Sequence, residues 1–119
     1  MPGQLVGIRM AVTNLEAMAE FYRRVLDADL AKVDTGAFSF YRGRIGTLRV
    51  QMFPKEVVGI TGEQNLHQLL FVVADVEGCR QLALKLGGTP EGELVEEDGR
   101  LTCCIRDPDG NTVELANGP

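Results

Sequence analysis

A chain of 119 residues, 45% of them hydrophobic, is long enough to bury the core of one independent domain. Its net charge of −5 argues against binding to nucleic acid or to an anionic membrane surface, and no apolar run reaches the length of a membrane span. The N-terminus has no recognisable signal peptide, and the three cysteines indicate reduced thiols, so we expect a cytoplasmic protein.

The chain contains an internal repeat. Residues 7–26 match residues 68–87 after a shift of 61 positions (68 − 7). Each copy reads as a short apolar strand followed by apolar residues at helical spacings of 3, 4 and 3. In the first copy these helix positions are Leu15, Met18, Tyr22 and Val25, and in the second they are Val76, Cys79, Ala83 and Leu86. The repeat predicts two similar modules, with eight strands and two main helices in all.

The first module begins with a predicted strand over residues 8–12, where apolar residues alternate with others. Thr13 followed by Glu16 fits a capping box at the start of the helix, and Asn14 is an alternative N-cap. Three short strands are predicted after the helix, at about 30–33, 37–41 and 47–53. The segment that follows reads as the linker to the second module.

The second module begins with Leu69–Val73, which is apolar on both faces and predicts a central strand. Asp75 is expected to cap the following helix, and Gly87 to end it. Asp98-Gly99 predicts a hairpin, and the segment Asp-Pro-Asp-Gly-Asn at 107–111 predicts a tight turn. These signals separate strands at about 90–96, 100–106 and 112–116.

Two segments carry a family resemblance. Phe21-Tyr22 before Val25-Leu26, and Asp-Pro-Asp-Gly-Asn-Thr-Val-Glu-Leu at 107–115, resemble the vicinal-oxygen-chelate superfamily, which includes glyoxalase I, extradiol dioxygenases and bleomycin-resistance proteins. Asp27 replaces the family's usual glycine. The resemblance implies an α+β fold in which two β-α-β-β-β modules form a curved, half-open mixed sheet around a cavity. It implies a single domain over 1–119, with module 1 at about 5–53, a linker at 54–66 and module 2 at about 67–117.

The resemblance also implies where a metal would bind. The positions that hold metal ligands in the family's metalloenzymes are occupied here by Gly7, Gln51, Gln68 and Glu114. Only Glu114 is anionic, whereas the metals of this superfamily prefer carboxylate and imidazole ligands. We therefore expect no cofactor. The alternative is one divalent metal ion on Gln51, Gln68 and Glu114.

His67 is the one histidine of the chain and adjoins Gln68. A bulge could turn it into the cavity as a metal ligand or base. A simple register slip would also turn the apolar residues of the following strand out of the core. The favoured interpretation is a histidine at the entrance to a strand.

Arginines share strand faces with the implied ligand positions. Arg9 lies two residues from Gly7, and Arg49 two residues from Gln51, so each pair points to the same face. A cavity arginine could pair with Glu114 or bind an anionic ligand through two hydrogen bonds. Equally, both arginines could reach solvent at the rim. We predict a ligand site formed by Arg9, Arg49, Gln51, Gln68 and Glu114.

Two further groups of side chains have structural and functional interpretations. Alternation turns either Cys103 or Cys104 inward, most simply as a buried structural thiol. Phe38, Phe40 and Tyr41 could stack a planar ligand, although core or dimer packing explains them equally well.

The function predicted from these features is metal-free binding of a small organic molecule, for sequestration or resistance. The alternative is a metal-dependent lyase, isomerase or dioxygenase with a reduced ligand set. A metal-free enzyme that uses Arg9 and Glu114 is a third possibility, so whether the chain is an enzyme stays open. We also expect a homodimer, because sheet edges and the mouth of the cavity are surfaces that a second copy could cover.

Overall fold

The computed structural model describes residues 7–58 and 69–118, and of Val58 only the backbone. Module 1 contains β1 (Gly7–Val12), α1 (Leu15–Leu26), β2 (Asp29–Asp34), β3 (Ser39–Ile45) and β4 (Leu48–Pro54), followed by a one-turn helix, α2 (Lys55–Val58). Module 2 contains β5 (Leu69–Val72), α3 (Val76–Lys85), β6 (Thr89–Glu97), β7 (Arg100–Arg106) and β8 (Thr112–Ala116). The predicted repeat of strand, helix and three strands is confirmed. None of the helices in these residues is long and apolar enough to cross a membrane.

The strands form two four-stranded mixed sheets with the same topology. Sheet 1 has the order β1-β4-β3-β2, and sheet 2 has the order β5-β8-β7-β6. In each, the first strand of the module runs parallel to the last, and the remaining pairs are antiparallel. The predicted α+β class is confirmed, with two separate four-stranded sheets in the described residues, neither of them closed.

Each of the two main helices begins at a residue whose side chain caps it. The Asn14 side chain accepts a hydrogen bond from the Ala17 backbone N–H at 3.1 Å, and Asp75 accepts one from Gly78 at 2.9 Å. The Thr13 capping box is therefore wrong, and Asn14 is the cap. Glu16 turns outward instead, because its carboxylate accepts hydrogen bonds from Lys32 Nζ at 2.8 Å and the Tyr41 hydroxyl at 2.6 Å. These two bonds lower the pKa of Glu16.

The helices end in different ways. Asp27 follows α1 with φ 53°, in the left-handed region. Its backbone N–H donates a hydrogen bond to the Tyr22 carbonyl oxygen. Aspartate is one of the few residues besides glycine that tolerate this conformation, which explains how it replaces the family's glycine. After α3, Gly87 has φ 94° and stops the helix as predicted.

A shared hydrophobic core lies where each helix packs on one face of its own sheet and against the other helix. Met18, Phe21 and Tyr22 of α1 are fully buried, and so are Val50 and Met52 of β4. Because side chains alternate along a strand, the opposite face of each sheet is left uncovered. These uncovered surfaces are called here the open face of sheet 1 and the open face of sheet 2.

The turn at 107–111 joins the two modules. Asp107 is only 2% exposed and accepts hydrogen bonds from the Tyr22 hydroxyl at 3.0 Å, from the backbone N–H of Asp109 at 3.0 Å, and from both the backbone and the side chain of Asn111. Asp109 accepts a hydrogen bond from the Thr13 backbone at 2.6 Å. Burial raises the pKa of Asp107 above its ordinary value of 3.8, although the bonds from Asn111 oppose this shift. Module 2 thereby holds the start and the middle of α1.

The strand predicted to be central in the second module is an edge strand. β5 pairs only with β8 within the described sheet, and its side chains Leu70 and Val72 are 51% and 57% exposed. The two-sided apolar pattern predicted cover on both faces, but only the face that carries Phe71 packs against the core. The apolar side chains on the other face are left on the open face of sheet 2.

Candidate functional site

A pocket of about 740 Å³ lies on the open face of sheet 1. Its size is within the range of small-molecule sites, about 300–1,000 Å³. The pocket is lined by Gly7, Ile8, Arg9, Asp29, Ala31, Arg42, Gly43, Arg44, Arg49, Val50 and Gln51. All four strands of the sheet contribute, so the rigid ladder of sheet 1 fixes the spacing of the polar groups.

Strand register brings four arginines onto this face. Gln51 is the cross-strand neighbour of Arg9 on one side and of Arg42 on the other, and Arg44 lies directly opposite Arg49. All four arginines are exposed. They account for a third of the 12 basic residues in an acidic chain, so this face carries a local excess of positive charge.

Arg9 is held in place by two contacts. Its Nε donates a hydrogen bond to the Gln51 side-chain oxygen at 3.1 Å, and its guanidinium lies 5.4 Å from the centre of the Phe53 ring. The structure thus brings Arg9, Arg49 and Gln51 together on one pocket. Their role as ligand-binding residues stays a prediction.

Two pocket arginines, Arg42 and Arg44, were missed from the sequence. The predicted strand ended at residue 41, whereas β3 extends to Ile45. The alternation of side chains along a strand could have found them. Tyr41 and Ile45 are buried, so Arg42 and Arg44, which occupy the alternate positions between them, must point to the opposite face.

An aromatic cluster adjoins the pocket on the same face. The rings of Phe40 and Phe53 are stacked, with centres 4.5 Å apart and planes 10° apart, and Phe38 lies 6.1 Å and 6.2 Å from them. All three are partly exposed. Tyr41 has the opposite parity and is buried at 4% exposure, with its ring beneath Arg23 at 4.8 Å. Phe38 and Phe40, but not Tyr41, are available to a planar ligand.

Glu114 lies on the other sheet. It occupies the position in β8 that Gln51 has in β4, between Leu70 of β5 and Cys104 of β7, on the open face of sheet 2. It does not line the pocket on sheet 1. Within residues 7–58 and 69–118 it forms no ion pair with an arginine. Within one chain, the predicted shared pocket of Glu114 with Arg9 and Gln51 is therefore not formed. Gln68 and His67 lie outside the described residues.

The adjacent cysteines divide as alternation predicted. Cys103 is buried at 4% exposure, and burial raises the pKa of its thiol, so it stays protonated and unreactive at neutral pH. Cys104 points to the open face of sheet 2 beside Glu114.

The chemistry of the pocket does not fit a divalent cation. A Cβ atom at Gly7 would lie 3.1 Å from the Arg49 carbonyl oxygen and 3.2 Å from its Cβ, so even a short side chain would crowd β4. The Gln51 oxygen already accepts a hydrogen bond from Arg9, and Asp29 is the one acidic residue among the pocket-lining residues above. Within the described ranges, no three His, Cys, Asp or Glu side chains are grouped closely enough to hold a metal.

The fold and its two similar modules define the class of this protein. The chain belongs to the glyoxalase/bleomycin resistance protein/dioxygenase superfamily, whose family model matches residues 4–115. This confirms the resemblance seen in the two sequence segments. No curated protein matches the sequence.

Solved structures with similar folds come from several bacteria. The fosfomycin resistance protein FosX from Listeria monocytogenes has a TM-score of 0.79 at 19% identity, with 100% of this chain and 94% of that chain covered. A glyoxalase-related enzyme from Fulvimarina pelagi has a TM-score of 0.74 at 21% identity, covering 95% and 86%. A glyoxalase/bleomycin resistance protein from Albidiferax ferrireducens has a TM-score of 0.73 at 20% identity, covering 95% and 97%. At these identities the likeness establishes the fold alone.

Proposed function

We propose that this chain binds a small organic molecule on the open face of sheet 1 without a metal ion, as a sequestration or resistance protein. The observation that carries the proposal is the pocket lined by Arg9, Arg42, Arg44, Arg49 and Gln51. These side chains offer hydrogen-bond donors to a ligand, whereas a metal site needs donors of electron pairs. The fosfomycin resistance proteins among the similar folds agree with a role in protection from a small molecule.

The pocket composition also favours binding over catalysis. Among the described residues, its lining contains no thiol, hydroxyl or imidazole side chain, and Asp29 on the edge strand is the one residue of that lining that could act as a base. Arginine stays protonated at any physiological pH, so it binds and orients but does not exchange protons. The described groups are therefore suited to holding a molecule in a fixed orientation.

The test is a binding titration with and without metal. Protein dialysed against EDTA is titrated with naphthoate, an aromatic carboxylate, and chemical-shift changes of the arginine side chains are followed by NMR. We expect the same dissociation constant in EDTA and after addition of manganese, nickel or zinc. Binding that is lost in EDTA and restored by one of these metals would move the metal-dependent alternative ahead.

We also propose that a second copy of the chain covers the open face of sheet 2. Of the four large apolar side chains that are well exposed in the described residues, three lie on this face: Leu70, Val72 and Val95. Val72 and Val95 lie at the two ends of one row of cross-strand neighbours that spans the sheet. Leu70 and Glu114 are cross-strand neighbours in the adjacent row. The carboxylate of Glu114, beside these apolar side chains, complements the arginine-rich, aromatic surface of sheet 1.

Light scattering at micromolar concentration tests this association. We expect twice the 13.0 kDa chain mass, and a shift towards the single-chain mass for Val72→Lys because the substitution places a charge in the apolar contact. Val57→Lys, at an exposed valine on α2, is the matched control and should leave the mass unchanged. A single-chain mass for the unsubstituted protein would contradict the proposal.

A further inference from the structure

The open face of sheet 1 changes character along its strands. At one end, Arg44 and Arg49 face each other across β3 and β4, and this pair is called here the arginine end. Two residues further along, Arg42, Gln51 and Arg9 form a middle row. Two residues further again come the stacked rings of Phe40 and Phe53, called here the aromatic end.

The two guanidiniums of the arginine end form no ion pair in the described part of the chain. Arg44 and Arg49 are direct cross-strand partners, an arrangement in which like charges repel. Asp29 is the cross-strand partner of Arg44 on the other side, but neither arginine forms an ion pair within residues 7–58 and 69–118. An oxyanion between the two guanidiniums would remove the repulsion and accept charge-assisted hydrogen bonds from both.

The aromatic end offers an apolar surface formed by the stacked rings. Phe40 and Phe53 are nearly parallel and Phe38 packs beside them, yet all three keep part of their surface exposed on the side away from the core. A planar apolar group gains contact area on such rings. Arg9, over the Phe53 ring, lies between this surface and the polar middle row.

The two ends are separated by a defined distance. Arg49 and Phe53 are four residues apart on β4, which at the usual rise of a strand corresponds to about 13 Å. The long arginine side chains shorten the gap that a ligand must span. A ligand with an oxyanion at one end and an aromatic group at the other can therefore contact both ends at once.

We infer that the ligand of sheet 1 is an elongated amphipathic anion, with its carboxylate or phosphoryl group on Arg44 and Arg49 and its planar apolar part on Phe40 and Phe53. The inference rests on the proposed function and adds the chemical class and the orientation of the ligand. A single-stranded nucleic acid also combines phosphates with flat bases, but the chain as a whole carries a charge of −5, which repels a polyanion.

Calorimetric titration in EDTA with matched probes tests the inference. The probes are naphthoate, naphthyl phosphate, naphthylmethanol, acetate and a short oligothymidylate. We expect naphthoate or naphthyl phosphate to bind at least roughly 10-fold more tightly than naphthylmethanol, which lacks the anion, and than acetate, which lacks the rings. Which of the two anions binds more tightly distinguishes a carboxylate ligand from a phosphoryl ligand.

Substitutions at each end separate the two contributions. Arg49→Gln should reduce naphthoate affinity towards that of naphthylmethanol, and Phe53→Leu should reduce it towards that of acetate. Arg24→Gln is the matched control, since Arg24 is an exposed arginine on α1 paired with Glu20, and should leave the affinity unchanged. A thermal unfolding scan of each variant verifies that it is folded.

Three results would overturn the inference. The first is that naphthylmethanol binds as tightly as naphthoate and Arg49→Gln has no effect, which would leave metal-free binding intact but show that the ligand needs no anionic group. The second is that none of the probes binds. The third is that the oligothymidylate binds more tightly than naphthyl phosphate, which would favour a nucleic-acid face. Naphthoate binding that requires an added metal would instead contradict the proposed function itself.

Discussion

Replacing Asp107 with alanine is expected to lower the free energy of unfolding by about 3 kcal/mol or more, because several buried donors lose their acceptor at once. The carboxylate accepts hydrogen bonds from Tyr22, Asp109 and Asn111, and three of these bonds are 3.0 Å long. The Tyr22 hydroxyl comes from module 1, so the substitution also weakens the attachment between modules. Urea unfolding followed by circular dichroism measures the change.

An exposed aspartate provides the control for this prediction. Asp34 also accepts a backbone hydrogen bond within a turn, from Gly36 at 2.9 Å, but it lies at the surface. Asp34→Ala should change the free energy of unfolding by less than about 1 kcal/mol, since water replaces the lost acceptor. Equal effects of the two substitutions would show that the buried position of Asp107 does not matter.

Arg49→Gln is expected to have opposite effects on binding and on stability. It should weaken naphthoate binding by roughly 10- to 100-fold, because a charge-assisted hydrogen bond contributes about 1.5–3 kcal/mol. It should also raise the free energy of unfolding by about 0.2–1 kcal/mol, because it removes the repulsion between Arg49 and the directly opposed Arg44. Calorimetry and urea unfolding of the same preparation measure both effects.

A gain in stability with a loss of binding is typical of a residue retained for a ligand. Arg24→Gln again serves as the control, since it removes one exposed ion pair with Glu20 and should alter neither quantity by a measurable amount. If Arg49→Gln instead destabilised the protein, Arg49 would have a structural role that the strand register does not reveal.

The fold was predictable because its signals are local and repeated. Two helices with the same apolar spacing, each after an apolar strand, defined both modules, and turns such as Asp98-Gly99 marked the strand ends. The errors arose where a tertiary contact decides the outcome. Glu16 looked like part of a capping box, but it bonds to Lys32 and Tyr41, which are distant in sequence.

The candidate site was only partly predictable. Gln51 followed from the family resemblance, and Arg9 and Arg49 from their parity with Gly7 and Gln51 along the strands. Arg42 and Arg44 were missed because Gly43 between them interrupts the pattern of a strand. In the structure Gly43 is needed for close packing, since a Cβ atom there would collide with the backbone carbonyl of Asp29 on β2. The sequence alone also could not separate the faces that carry Glu114 and Gln51, which depend on how the two sheets are arranged.

One diffraction measurement tests most directly whether sheet 1 binds an organic anion rather than a metal. Crystals are soaked with manganese and with a naphthoate brominated at the end away from its carboxylate, and anomalous difference maps locate both elements. We expect a bromine peak beside Phe40 and Phe53, a carboxylate between Arg44 and Arg49, and no manganese on Gln51 or Glu114. Manganese coordinated by Gln51 or Glu114, or bromine at the arginine end, would contradict it.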